Sequence, residues 1–193
     1  LCNDAYLEKG PEPKIIGDPT EGAILVAAEK AHLVKKELEG DYVRLKEIPF
    51  EAKRKKMTTI HKDPEGKFIA FVKGAIDEIL MLSNLKGYDS KELTYGERQR
   101  ILKVSKDQAA AGMRILAVAY KKLEDLPKDL DPSKIEKDLV FLGFAALTDP
   151  PRPEVENSIR VCRSAGITPI MVTGDHKLTA LAIGRALSME RDE

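Results

Sequence analysis

Three prolines fall within five residues at Asp149-Pro150-Pro151-Arg152-Pro153, and no regular element can run through them. Each proline fixes φ and removes a backbone donor, so the run ends any strand or helix and stands as a stiff hinge or boundary. The hydrophobic pattern changes across it. Before it, short alternating runs and turn signals predict an α+β domain over 1–151 built on an antiparallel sheet. After it, helix (154–165), apolar strand (167–173) and helix (176–189) predict a fragment of a parallel α/β domain over 152–193. One strand and two helices are too few to close a core. The rest of that domain is expected elsewhere, in keeping with a first residue that is Leu1 rather than Met.

Within the first part, residues 1–17 read as an irregular lead-in. Asp18-Pro19-Thr20-Glu21 has the form of a helix start, with Asp18 as N-cap, Pro19 at the first helical position and Glu21 as capping-box carboxylate. The apolar spacing of Ile24, Leu25, Ala28, Ala31 and Leu33 carries that helix on to a stop at Gly40. Residues 42–49 alternate as a strand. Runs 57–61 and 67–73 flank Asp63-Pro64-Glu65-Gly66 and read as a hairpin. A short helix at 76–82, a polar loop at 89–94, a capping box at Thr94 and Glu97 with a helix to Gly112, and strands at 113–120 and 139–147 complete the pattern, with a polar connection over 121–138.

The 32 basic and 32 acidic residues cancel, which argues against bulk electrostatic binding to nucleic acid or an anionic membrane. The longest near-pure apolar run, Leu139–Leu147, has nine residues, against the ~20 of a membrane-spanning helix. No secretory leader pattern is visible. Cys2 and Cys162 form no CxxC pair, which fits a reduced, cytosolic setting. There is no phosphate-binding GxxxxGK[ST], no GxGxxG after a strand, no zinc spacing among His32, His61 and His176, and no GxSxG.

Four positive signals remain. Lys73 ends an apolar strand and is followed by Gly74 and Ala75; it either presents its ammonium to a phosphate, with Gly74 admitting a flat ligand, or snorkels before a turn. Phe50 precedes the basic run Lys53-Arg54-Lys55-Lys56, which either stacks a base and neutralises phosphates or forms a solvated loop. Arg114 near a strand start is either a phosphate ligand or a surface arginine. Thr173-Gly174-Asp175-His176 joins an apolar strand to a helix; it either binds an anion through backbone N–H groups or simply caps the helix at Asp175.

Together and in this order, these residues resemble the P-type cation-transporting ATPases, nearest the calcium-pump-like branch, over essentially the whole chain. The likeness runs from Leu1-Cys2-Asn3-Asp4 through Asp18-Pro19-Thr20-Glu21, Phe50 with Arg54-Lys55-Lys56-Met57, Lys73-Gly74-Ala75 and Met113-Arg114-Ile115-Leu116-Ala117. It continues to Asp149-Pro150-Pro151-Arg152 and, 24 positions after Asp149, Thr173-Gly174-Asp175-His176. It implies a nucleotide-binding domain at 1–151, a twisted antiparallel sheet flanked by helices. It also implies part of a haloacid-dehalogenase-like phosphorylation domain at 152–193.

By matching motif, Phe50 would stack on adenine, Glu21 would contact its amino edge, and Lys73, Gly74 and Ala75 would wall its pocket. Lys55 and Met57 would lie near base and phosphates, and Arg114 would reach toward the phosphates. Asp149 and Arg152 would help hold nucleotide at the hinge, and Thr173, Gly174 and Asp175 would contact the transferred phosphoryl group. Two positions depart from the family pattern: Ile76-Asp77 replaces a Pro-Glu pair, and Ala52 stands where relatives often carry a polar residue or arginine.

The resemblance implies ATP as ligand, with Mg²⁺ arriving on it, and a parent at the cytosolic face of a membrane. The partners would be the parent's remaining phosphorylation, actuator and transmembrane domains, and no nucleic acid. The phosphorylated Asp-Lys-Thr-Gly-Thr and the later Gly-Asp-Gly-x-Asn-Asp are not in this chain, so it is expected to bind nucleotide without turning it over. A dissociation constant between ~0.1 and a few millimolar is expected from one aromatic stack and a few polar contacts. A stand-alone nucleotide-binding regulatory module is the alternative.

Overall fold

A computed structural model describes residues 1–8, 14–148, 152–173 and 177–189. The chain divides into two compact units, Leu1–Gln99 with Leu116–Ala145, and Arg100–Ile115 with Ala146–Glu193.

The first unit is organised by a seven-stranded sheet flanked by helices. Its strands are β3 (Val43–Glu51), β4 (Lys56–Lys62), β5 (Phe68–Gly74), β6 (Ser83–Lys86), β7 (Lys91–Glu92), β8 (Arg114–Leu123) and β9 (Leu139–Leu147), in the order β3-β4-β5-β8-β9-β6-β7. A two-stranded ribbon of β1 (Tyr6–Glu8) and β2 (Lys14–Ile16) stands apart. The β4–β5 hairpin turns where expected: Asp63 Oδ1 accepts from Lys67 N, and Gly66 takes φ +84°. The sheet is mixed rather than antiparallel throughout, because β6 pairs β9 in parallel. Ser83-Asn84-Leu85-Lys86 carries neither alternation nor β-branched residues, so only its neighbour makes it a strand.

The alternation of β4 and β5 sends Ile60 and Ala70 to one face, where they pack with Ile48 and with Ile135 of α5 (Pro132–Ile135). The opposite face carries Met57, Thr59 and His61 beside Lys73 and Phe71. His61 and Tyr42 each meet the Phe71 ring edge-on.

Helix α1 (Pro19–Lys30) starts as its sequence specifies, with Asp18 Oδ1 accepting from Thr20 N at 2.8 Å and Glu21 N at 3.2 Å. It does not continue to Gly40. His32 turns to φ +60°, and a separate helix, α2 (Lys35–Asp41), follows. A left-handed residue cannot propagate a helix, and the apolar spacing across Leu33 conceals this break. Helix α3 (Ile76–Met81) follows β5 directly. At the start of α4 (Tyr95–Ala110), the Thr94–Glu97 capping box forms in both directions.

In the second unit, α6 (Pro153–Ser164) opens with proline at its first position, and α7 (Lys177–Ala186) follows. The strand expected at 167–173 does not form: Ile170 is 83 % and Val172 93 % exposed. A parallel strand takes its hydrogen bonds from flanking strands, and none pairs with this segment among the described residues.

Candidate functional site

The basic run and its aromatic neighbour sit at the β3–β4 reversal. Ile48 pairs with Thr58 and Glu51 with Lys56, so Pro49 and Phe50 together oppose the single residue Met57. That extra residue is a β-bulge, a device that re-aims a side chain at a sheet rim. Phe50 is left 64 % exposed. Met57, opposite Lys73 in the next pair, is buried.

Lys73, next to last in β5, has only 7 % of its surface exposed, and its Nζ forms an ion pair with Glu21. Glu21 is not the capping-box carboxylate expected. Its Oε2 turns away from the Asp18 N–H and accepts from Asp4 N at 2.6 Å and Ala5 N at 3.0 Å. A buried lysine and two backbone donors outcompete one solvent-exposed N–H for the same oxygens. Asn3 Nδ2 donates back to Glu21 O at 2.9 Å. Lys35 Nζ donates to Asn3 O and Ala5 O, which ties the 3–5 segment to both helices.

Gly74 lies hard against protein on the side that a β-carbon would occupy. A β-carbon there would lie 2.6 Å from Lys56 Cβ and 2.9 Å from Lys56 Cα, and nearer still to Lys55 O. That carbonyl accepts from Ala75 N at 3.0 Å. Lys55 holds a left-handed φ of +52°, and its half-exposed ammonium lies 3.7 Å from Asp77 Oδ2.

Of the four basic residues, Arg54 and Lys56 turn inward. Arg54 Nη1 donates to Glu136 Oε1 at 2.6 Å, and Lys56 Nζ lies 3.8 Å from Glu136 Oε2. No pattern marked Glu136, which sits at the end of α5 within the polar connection. Asn3 and Asp4 enter the sequence reading only as part of the resemblance, with no assigned role, and Ala5 only as part of the irregular lead-in.

Glu21, Lys73, Met57, Phe50, Lys55, Gly74 and Ala75 thus share one end of β3, β4 and β5 and the start of α1. Behind Lys73 lies an apolar cavity of about 290 Å³ lined by Cys2, Leu25, Leu33, Phe71 and Val118. Burial raises the pKa of the Cys2 thiol, against the pull of Lys73. Arg114, Arg152 and Thr173 are exposed; Arg114 is the first residue of β8, just ahead of the Leu116–Ala145 part of the first unit, and Arg152 and Thr173 lie in the second. Asp149, Gly174 and Asp175 lie outside the described residues. No helix among the described residues is long and apolar enough to cross a membrane.

Comparison with known proteins shows the family of the chain. Residues 1–154 match the family model described as P-type ATPase, cytoplasmic domain N. The chain is 38 % identical over 194 residues to "Calcium-transporting ATPase 1" of Bacillus cereus, covering 100 % of this chain and 21 % of that protein. It is 39 % identical over 192 residues to "Calcium-transporting ATPase" of Bacillus subtilis, covering 98 % and 22 %. It is 38 % identical over 190 residues to "Cation-transporting ATPase pma1" of Synechocystis, covering 98 % and 21 %. The chain spans about one fifth of the length of these relatives. It belongs to the P-type cation-transporting ATPases and carries their cytoplasmic domain N.

Proposed function

We propose that this chain binds an adenine nucleotide at the Glu21–Phe50–Lys73 end of the sheet. In the parent pump it then delivers the γ-phosphate to a catalytic aspartate outside this sequence. The observation that carries the reading is the occurrence, at one end of the sheet, of a largely exposed aromatic on the β3 bulge and, across β4, a nearly buried carboxylate–ammonium pair at the end of β5.

A carboxylate offers about four acceptor positions. Lys73, Asp4 N and Ala5 N occupy three on Glu21, which leaves one for the exocyclic amine of adenine. The held geometry means that little ordering remains to be done on binding. Phe50 supplies a stacking face, worth ~1–3 kcal/mol for a base. The Lys55 ammonium is the mobile charge for the phosphates.

Asp149, Arg152, Arg114, Thr173, Gly174 and Asp175 are assigned to phosphate handling, and residues 152–193 to part of a dehalogenase-like phosphorylation domain, by motif alone. In this reading magnesium arrives on the nucleotide. Phosphoryl transfer needs positioning and charge neutralisation more than covalent work by the binding domain. An adenine-gripping domain and a separate nucleophile are a workable division.

The transported ion is proposed to be calcium, on the names of the relatives. The parent is placed in a membrane with this part on its cytosolic side, completed by the remaining phosphorylation, actuator and transmembrane domains.

Calorimetric titration with ATP, ADP, AMP and GTP tests the reading. ATP, ADP and AMP are expected to bind with similar constants of ~0.1 to a few millimolar. GTP should bind about tenfold more weakly, because its O6 would face the Glu21 carboxylate. Equal affinity for ATP and GTP, or a hundredfold preference for ATP over ADP, would contradict it. So would sustained phosphate release by the purified chain.

A further inference from the structure

Glu136 is a carboxylate with only 2 % of its side chain exposed, on an otherwise polar connection. Its Oε1 accepts from Arg54 Nη1 at 2.6 Å and from Thr58 Oγ1 at 2.7 Å, while Lys56 Nζ approaches Oε2 at 3.8 Å. A buried ion cluster is a poor way to gain stability, since apolar residues of equal volume often do as well. What such a cluster supplies well is fixed geometry.

The rest of the Arg54 guanidinium shows which geometry. Nη2 donates to Pro49 O at 2.6 Å and Nε to Glu51 Oε2 at 2.9 Å. Arg54 therefore holds the residue before Phe50 and the residue after it, and Glu136 holds Arg54. The Phe50 ring has no such support of its own, being 64 % exposed on a bulge.

We propose that Glu136 is a positioning residue for the aromatic platform, acting through Arg54, which holds the Pro49 carbonyl on one side of Phe50 and the Glu51 side chain on the other. This rests on the nucleotide reading above. Without the clamp the bulge samples other geometries, and the stack must be ordered at the moment of binding, at a cost in affinity. Lysine cannot replace Arg54, because a single ammonium cannot reach Pro49 O, Glu51 and Glu136 in three directions at once.

The test is a binding cycle with ADP on the whole chain, using wild type, Glu136→Gln, Arg54→Lys, Phe50→Ala and the double variant Phe50→Ala/Glu136→Gln. Amide NMR spectra establish that each is folded at the temperature used. Glu136→Gln and Arg54→Lys should each weaken ADP binding about three- to tenfold. Glu136→Gln should add nothing in the Phe50→Ala background. A general structural role would instead weaken both backgrounds equally, and that outcome overturns the proposal.

Wild-type affinity in both Glu136→Gln and Arg54→Lys, with Phe50→Ala impaired, also overturns the proposal and leaves the nucleotide reading standing. Absence of ADP binding by the wild type removes both. If Glu136→Gln does not fold, Arg54→Lys and Phe50→Ala/Arg54→Lys complete the same cycle.

Discussion

Replacing Gly74 by alanine adds one methyl group where the chain has no room for it. The new carbon would sit 2.6 Å from Lys56 Cβ and 2.9 Å from Lys56 Cα, and closer to Lys55 O. Two of these three atoms are backbone, so relief requires the end of β5 and the start of β4 to separate. Forcing extra volume into a packed site costs ~1–3 kcal/mol. Separation also weakens the Ala75 N to Lys55 O hydrogen bond, worth ~1 kcal/mol. Reduced freedom of the unfolded chain returns ~0.5 kcal/mol.

The net loss for Gly74→Ala is about 1.5–3.5 kcal/mol. At ~2–4 °C per kcal/mol for a chain of this size, the melting temperature should fall by roughly 3–14 °C. Urea unfolding followed by circular dichroism measures it, and the midpoint should drop with the slope unchanged. ADP affinity should fall in parallel, because the Lys55 backbone moves. A stability change under ~0.5 kcal/mol would refute the argument that backbone proximity, rather than a ligand, requires glycine here.

Three other outcomes follow from the same contacts. Phe50→Ala should leave the urea midpoint within ~0.5 kcal/mol of wild type, since the ring is mostly exposed, while abolishing most nucleotide affinity. Glu21→Leu strands the buried Lys73 ammonium and should cost ~3 kcal/mol of stability; the double variant Glu21→Leu/Lys73→Met should recover most of it. Stability should also decline in mild acid through His61, whose pKa burial lowers below its usual 6.5 despite the Tyr42 carbonyl. The unfolded chain then takes up a proton first, so the His61 contribution is complete above pH ~6.5 and lost as pH falls toward the lower folded value. Unfolding midpoints measured from pH 7.5 to 5 should show this decline, and His61→Gln should flatten it.

Local signals were legible where one short stretch decides its own geometry. The Asp18 cap, the Asp63–Gly66 turn and the Thr94–Glu97 box all form as read. What escaped depends on partners distant in sequence. Ser83–Lys86 is a strand only because β9 lies beside it, and 167–173 reads as a strand but has no neighbour among the described residues. Glu21 looked like a local cap until Lys73, 52 positions away, and the Asp4 and Ala5 amides were brought to it. Glu136 lies 82 positions from the arginine it holds. Phe50 and Lys73 were visible because an exposed aromatic beside a charge run, and a lysine closing an apolar strand, are unusual within their own segments.

The central claim is that Glu21, Phe50 and Lys73 form one adenine pocket, and amide-resolved NMR during an ATP titration tests it most directly. The account predicts saturable shifts concentrated at Glu21, the 49–57 reversal and Lys73–Ala75, with the same midpoint at each, and a midpoint at least ~5-fold higher in Phe50→Ala. Shifts confined to other residues, or none at ~10 mM ATP, well above the affinity expected of these contacts, would contradict it.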